Sequence, residues 1–104
     1  MENLKQVYLF YTLNPVCLTC KGPLEYLHSQ QTNYPNITFY YINIDVDNNI
    51  DTYDTMFAGV YSLPTIVFTN NVNYLSKLAG KPQNGGYVLD SEIKYNLDVL
   101  NQTN

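Results

Sequence analysis

The sequence predicts an α/β fold: a four-stranded mixed sheet in the order β-α-β-α-β-β-α, flanked by helices on both faces. Three observations carry it. Short apolar runs alternate with segments whose apolar residues recur at helical spacing. Two of the runs are joined through a helix, which implies a parallel pair made by a right-handed crossover. The last two are separated by Asn70-Asn71, turn chemistry that implies an antiparallel hairpin.

Taken in order, Val7 to Thr12 is rich in Tyr, Val and Phe and predicts a strand buried on both faces. Asn14-Pro15 ends it. Leu18 to Asn33 sets Leu24 and Leu27 against polar Ser29, Gln30 and Gln31, which predicts a helix stopped by Tyr34-Pro35. Pro23 is expected in its first turns, where a missing N–H costs least. Ile37 to Ile44 reads as a second strand, again apolar on both faces. Ile50, Tyr53, Phe57 and Val60 recur at helical spacing, and Gly59 offers a stop. Leu63-Pro64 opens a strand over Thr65 to Thr69, and Tyr74 to Ala79 returns beside it. Asp90 or Ser91 is expected to cap a last helix whose Ile93, Leu97 and Leu100 form one apolar stripe.

The 104 residues allow one domain, 1–104, with no repeat or linker inside it. Acidic groups outnumber basic ones nine to five, a net charge of −4, which argues against gripping a nucleic-acid backbone. No run of residues is long and apolar enough to cross a membrane. The apolar stretch after Lys5 lacks a small-residue cleavage site, so a cytoplasmic protein is expected.

Cys17 and Cys20 are the two cysteines, as Cys17-Leu18-Thr19-Cys20, between the first strand and the first helix. At a helix N-terminus the backbone N–H groups and the macrodipole favour an anion, so a thiolate at Cys17 is favoured. Two intervening residues let both sulfurs sit within bonding distance on one helical turn. Cys17 would attack a disulfide and Cys20, a turn deeper, would resolve the mixed disulfide. A zinc site within one chain is disfavoured, because two sulfurs and His28, the sole histidine, leave a position open, while a metal shared across an oligomer stays an alternative. Two unrelated core thiols fit poorly with a helix start, and a static disulfide fits poorly with a reducing compartment. His28 reads as a helix-surface residue. Asp45, Asp47, Asp51 and Asp54 lack the spacing of a calcium loop and read as a solvated face.

The Cys-x-x-Cys after the first strand, Leu63-Pro64-Thr65 opening the third, the stretches Tyr41 to Asp45 and Gly59 to Ile66, and Gly80 sixteen residues after Pro64 together resemble the thioredoxin superfamily from Val7 to Leu100. The resemblance implies a thiol–disulfide oxidoreductase that reduces protein disulfides. It implies that Pro64 is cis and lies beside the cysteines, that the backbone of Leu63 pairs with an extended substrate, and that Gly80 lines the substrate groove. Val16 stands where the family has Trp beside the first cysteine, and Leu18-Thr19 stands where it has Gly-Pro. Val16 and Leu18 are therefore expected to meet the substrate. The family's buried Asp and its Lys partner align with Tyr11 and Tyr41. Lys21, next to Cys20, is the nearest cation in sequence.

Few residues precede Val7, so a trimmed, glutaredoxin-sized core is expected. The chain departs from glutaredoxins in lacking Pro-Tyr between the cysteines, and its Gly85-Gly86 is followed by Tyr87 rather than Asp and sits further from Pro64 than their Gly-Gly-Asp does. Lys81 to Tyr87, in the long loop that follows Gly80, is expected to influence partner choice. A monomer with no cofactor and no metal is expected. Its partners would be a disulfide-containing protein substrate and a reductase or small thiol for recycling. The alternatives are a glutathione-dependent reductase of glutaredoxin type and a redox-inactive binding module of the same fold.

Overall fold

The computed structural model describes residues 5–12, 17–45, 63–70, 73–80 and 85–103. Four strands, β1 (Lys5–Tyr11), β2 (Ile37–Asn43), β3 (Thr65–Asn70) and β4 (Asn73–Ala79), form one sheet in the order β2-β1-β3-β4. β1 and β2 are parallel, with Leu9 opposite Tyr41. β3 runs antiparallel to β1, Phe10 opposite Thr65, and β4 antiparallel to β3, Thr65 opposite Ala79. Helix α1 (Leu18–Gln30), extended by a 3-10 turn (Gln31–Asn33), supplies the crossover between β1 and β2. Helix α2 (Asp90–Gln102) closes the fold.

The two central strands are the most apolar in sequence and the most buried. Val7 to Phe10 and Thr65 to Thr69 are all shielded from water. Alternation along β1 splits the core in two. Val7 and Leu9 join Ile66 and Phe68 beneath Leu27 of α1 and Ile93, Leu97 and Leu100 of α2. Tyr8, Phe10 and Val67 gather Ile42, Ile44 and Leu63 on the opposite face. Full burial of such side chains is worth roughly 1.5–3 kcal/mol each, so this layer of helix on sheet supplies most of the drive to fold.

Three expectations need refining or correction. β2 is apolar on both faces in sequence, yet among the described residues it is an edge strand, with Ile37 alone buried and Tyr40 exposed. Its Phe and Tyr residues mimic the composition of a central strand, but among the described residues only β1 pairs with it. Pro23 falls in the second turn of α1, within the first turns as expected, but past the helix start where a missing N–H costs least. It lies inside α1 and is buried, where it cannot donate to the carbonyl of Thr19. Neither Asp90 nor Ser91 caps α2: Leu89 is the N-cap, and the carboxylate of Glu92 accepts from its N–H at 3.3 Å. Asp90 and Glu92 then sit in the first turn, where the dipole favours negative charge. The helix expected around Ile50 to Val60 lies outside the described residues. α1 and α2 both pack on the Leu9 face of the sheet.

Candidate functional site

β1 ends at Tyr11 and α1 begins on Cys17, its N-cap. The Cys17 backbone is extended (φ −107°, ψ 94°), and its carbonyl accepts the Cys20 N–H at 3.1 Å. One helical turn leaves the two Cα atoms 5.3 Å apart, with the sulfurs joined as a disulfide. The first turn holds no acidic residue, so no carboxylate offsets the positive end of the helix dipole there. Cys20 is 3% exposed while Cys17 is only half-buried. An incoming sulfur therefore reaches Cys17 first.

The sheet register gathers the other candidates at the same end. Phe10 opposite Thr65 sets Pro64 level with Tyr11, and Thr65 opposite Ala79 brings Gly80 there as well. The Leu63–Pro64 peptide bond is cis, and Pro64 is buried. Leu63 turns its side chain to the Tyr8, Phe10 and Val67 cluster. Gly80 has a specific reason to be glycine: a Cβ there would collide with the carbonyl of Gly86. Gly86, at φ +84°, lies in turn against Thr19, whose Cγ2 would be 3.7 Å from a Cβ built on it. The glycine turn after β4 thus lies close to Thr19, one of the two residues between the cysteines. Val16 lies outside the described residues, as do residues 81–84 of that loop.

Leu18 is 75% exposed, unusual for a leucine, and stands beside the disulfide. It shares an opening of about 250 Å³ with Tyr11, Thr12, Cys17, Cys20, Lys21 and Leu24. Thr12 and Leu24 carried no signal in the sequence that marked them for this place. At the rim, buried Thr12 donates to both carboxylate oxygens of Asp45 at 2.8 Å, and the Ile44 N–H bonds the Tyr11 carbonyl at 3.0 Å. Asp45, expected on a solvated face, is exposed but ties the ends of β1 and β2 together. Asp47, Asp51 and Asp54 lie outside the described residues.

Tyr11 and Tyr41 have separate surroundings. Tyr11 lines the opening beside both cysteines. Tyr41 stacks on His28 with ring centroids 4.1 Å apart, and its hydroxyl donates to Gln31 at 2.8 Å. Burial pushes the Tyr41 phenol up to about 12. With its proton engaged far along α1, Tyr41 is poorly suited to serve the disulfide. His28 lies on the helix surface. Among the described residues, no group of three His, Cys, Asp or Glu side chains is placed to hold a metal ion. No described helix is long and apolar enough to cross a membrane. Lys21 reaches along the helix to Glu25, Nζ to Oε1 3.9 Å, with both side chains largely in solvent.

The sequence matches no protein-family model and no curated protein. Solved structures are similar over nearly the whole chain. Oxidised thioredoxin O2 of Arabidopsis thaliana superimposes with a TM-score of 0.77 at 18% identity, covering 96% of this chain and 77% of that one. Oxidised mitochondrial thioredoxin 3 of Saccharomyces cerevisiae gives 0.69 at 19% identity, covering 93% and 79%. The germline thioredoxin Deadhead of Drosophila melanogaster gives 0.73 at 18% identity, covering 94% and 82%. At such identities the likeness is one of fold. Together with the mixed sheet and the cysteine pair at the head of α1, it establishes that this chain has the thioredoxin fold.

Proposed function

We propose that the protein is a thiol–disulfide oxidoreductase that reduces disulfides of protein substrates through Cys17 and Cys20. The observation that carries this is the asymmetric disulfide at the start of α1, with Cys17 accessible at the N-cap and Cys20 buried behind it.

The cycle follows from that asymmetry. In the reduced protein the Cys17 thiolate attacks one sulfur of a substrate disulfide, and the other substrate sulfur leaves and takes a proton. A mixed disulfide now joins Cys17 to the substrate. Cys20 loses its proton and attacks Cys17, closing the Cys17–Cys20 bond and expelling the second substrate thiolate. Two electrons pass to the substrate, and a reductase or a small thiol returns them. Thiolate formation at Cys17 is favoured by the backbone N–H groups and dipole of α1. Leu18, the opening beneath it, the Leu63 backbone before Pro64 and the Gly80 turn form the surface an extended substrate would meet. A cytoplasmic monomer, working without a cofactor, is the setting that goes with this activity.

The test is an equilibrium redox titration of the pair, read by alkylation and mass. A midpoint near about −270 mV makes the protein a donor of electrons to substrates, and one toward about −120 mV makes it an oxidant instead. If no Cys17–Cys20 disulfide forms across that window, the protein is no oxidoreductase and the fold serves binding.

A further inference from the structure

Thr19 is the second residue of α1, and its hydroxyl lies 3.6 Å from the Cys17 sulfur. A threonine in a helix ordinarily turns its hydroxyl back to the carbonyl three or four residues earlier. For Thr19 those residues precede the helix. The other branch of the side chain lies on the Gly86 side, where a Cβ added to Gly86 would come within ordinary contact of Cγ2 at 3.7 Å, while Gly80 packs behind the Gly86 carbonyl. In this rotamer the hydroxyl is turned to the sulfur and the methyl to the glycine turn. Lys21, the nearest cation in sequence, is turned instead toward Glu25 and solvent.

We propose that Thr19 is a positioning residue for the Cys17 thiolate: in the reduced protein its hydroxyl donates a hydrogen bond to Cys17 Sγ, held there by the glycine turn that follows β4. The proposal rests on the oxidoreductase reading, in which Cys17 must ionise to attack. Reduction by dithiothreitol breaks the Cys17–Cys20 bond with two electrons and closes the reagent's own disulfide. Of the two protons released, one stays on Cys20 as thiol. The other passes to solvent when Cys17 ionises, and the Thr19 O–H then meets a full negative charge. A hydrogen bond to an ionised acceptor is stronger than one to a neutral thiol, so it favours the thiolate.

The experiment is the pH profile of Cys17 alkylation by iodoacetamide in the reduced protein, with the modified cysteine identified by mass. Thr19→Val keeps the shape and removes the hydroxyl, and Thr19→Ser keeps the hydroxyl. On the acid side of the profile the valine variant is expected to hold about tenfold less thiolate, the equivalent of one pH unit. The serine variant is expected to follow the wild type. If the valine profile overlays the wild type, or serine shifts it as far as valine does, the hydroxyl has no such role. Should valine prevent folding, Thr19→Ala carries the same expectation. These profiles do not require turnover. A wild-type protein that alkylates normally but exchanges no disulfides overturns the oxidoreductase reading and leaves the Thr19 comparison to be decided on its own.

Discussion

The two ends of α1 are held in different ways. At its start, apolar and small groups surround the disulfide: Leu18 in solvent, the Thr19 methyl against Gly86, Gly86 against Gly80. Beyond its far end, past the 3-10 turn, Tyr34 is buried and its hydroxyl donates to Asp98 of α2 at 2.5 Å. Lys94 reaches both, at 3.3 Å from Asp98 and 3.4 Å from the Tyr34 oxygen. One end leaves a sulfur accessible, with close packing to shape it. The other joins two elements 64 residues apart by a charged hydrogen-bond network. Changes at the first end should alter chemistry, and changes at the second should alter stability while leaving chemistry alone.

The largest effect expected is at the sulfurs. Cys17→Ser should abolish reduction of a protein disulfide, because the thiol that remains, Cys20, is buried and out of a substrate's reach. Cys20→Ser should let it form and stop there, so that a covalent adduct with substrate accumulates and is seen by mass. Substitutions equal in effect at the two positions would remove the distinction between attacking and resolving cysteine. Next comes Gly80→Ala, which drives a Cβ into the Gly86 carbonyl, where the obstacle is backbone and yields poorly. A stability loss of about 1–3 kcal/mol by urea unfolding is expected, with slowed disulfide exchange in the folded fraction. Unaltered exchange would mean that the contact of this turn with Thr19 does not matter to the sulfur.

The far end is tested by Tyr34→Phe, expected to lower the urea midpoint while leaving the exchange rate of the folded protein at the wild-type value. Its pH dependence has a definite sign. The hydrogen bond from Tyr34 holds the Asp98 carboxyl below its ordinary range. A carboxyl depressed on folding adds stability above its unfolded pKa, about 3.9, and that stability is lost as pH falls through the folded value. Burial first, and then the bond to Asp98, raise the Tyr34 phenol. A phenol raised on folding adds stability below about 10, lost as pH climbs through the folded value. The gap between wild type and Tyr34→Phe should therefore be widest between those limits and close on both sides. A gap that stays constant from acid to alkali would show that the phenylalanine costs packing alone.

The disulfide end was largely legible in the sequence, because its parts are local. A strand, a break, two cysteines on one turn and an apolar helix face appear in consecutive residues; β1 and β3 lie within a residue or two of where periodicity sets them, and α1 reaches the expected Asn33 only with its 3-10 turn. What escaped depends on contacts between distant segments. Nothing in Gly86 indicates that it meets Thr19, and the identity of Gly80 does not say which carbonyl excludes a Cβ. Lys94 and Asp98 stand at helical spacing, yet the arrival of Tyr34 depends on how α1 and α2 are laid on the sheet. β2 misled for a related reason: its residues are those of a central strand, and whether a strand has one neighbour or two is decided by topology rather than by its own composition. The capping of α2 by Leu89 was missed because Asp90 is as well suited to the first helical position as to the cap.

The smallest effect expected is at Lys21, and it sharpens the contrast because the residue belongs to the disulfide end by sequence but not by environment. Its side chain is 79% exposed and its ammonium lies 3.9 Å from Glu25, itself 67% exposed. Exposed pairs of this kind contribute little, and salt at physiological strength screens a surface charge within about 8 Å. Lys21→Gln should consequently move the thiolate population of Cys17 by less than about twofold at that ionic strength, well short of the roughly tenfold change expected on removing the Thr19 hydroxyl. Alkylation profiles at low and physiological salt separate the two. A charge acting through solvent gives a difference that shrinks as salt is added. A hydrogen bond of the helix turn gives one that does not. If Lys21→Gln proves the larger and the more salt-sensitive, the thiolate is governed by the field of a neighbouring cation, and the packed turn beneath Thr19 serves only to hold the loop in place.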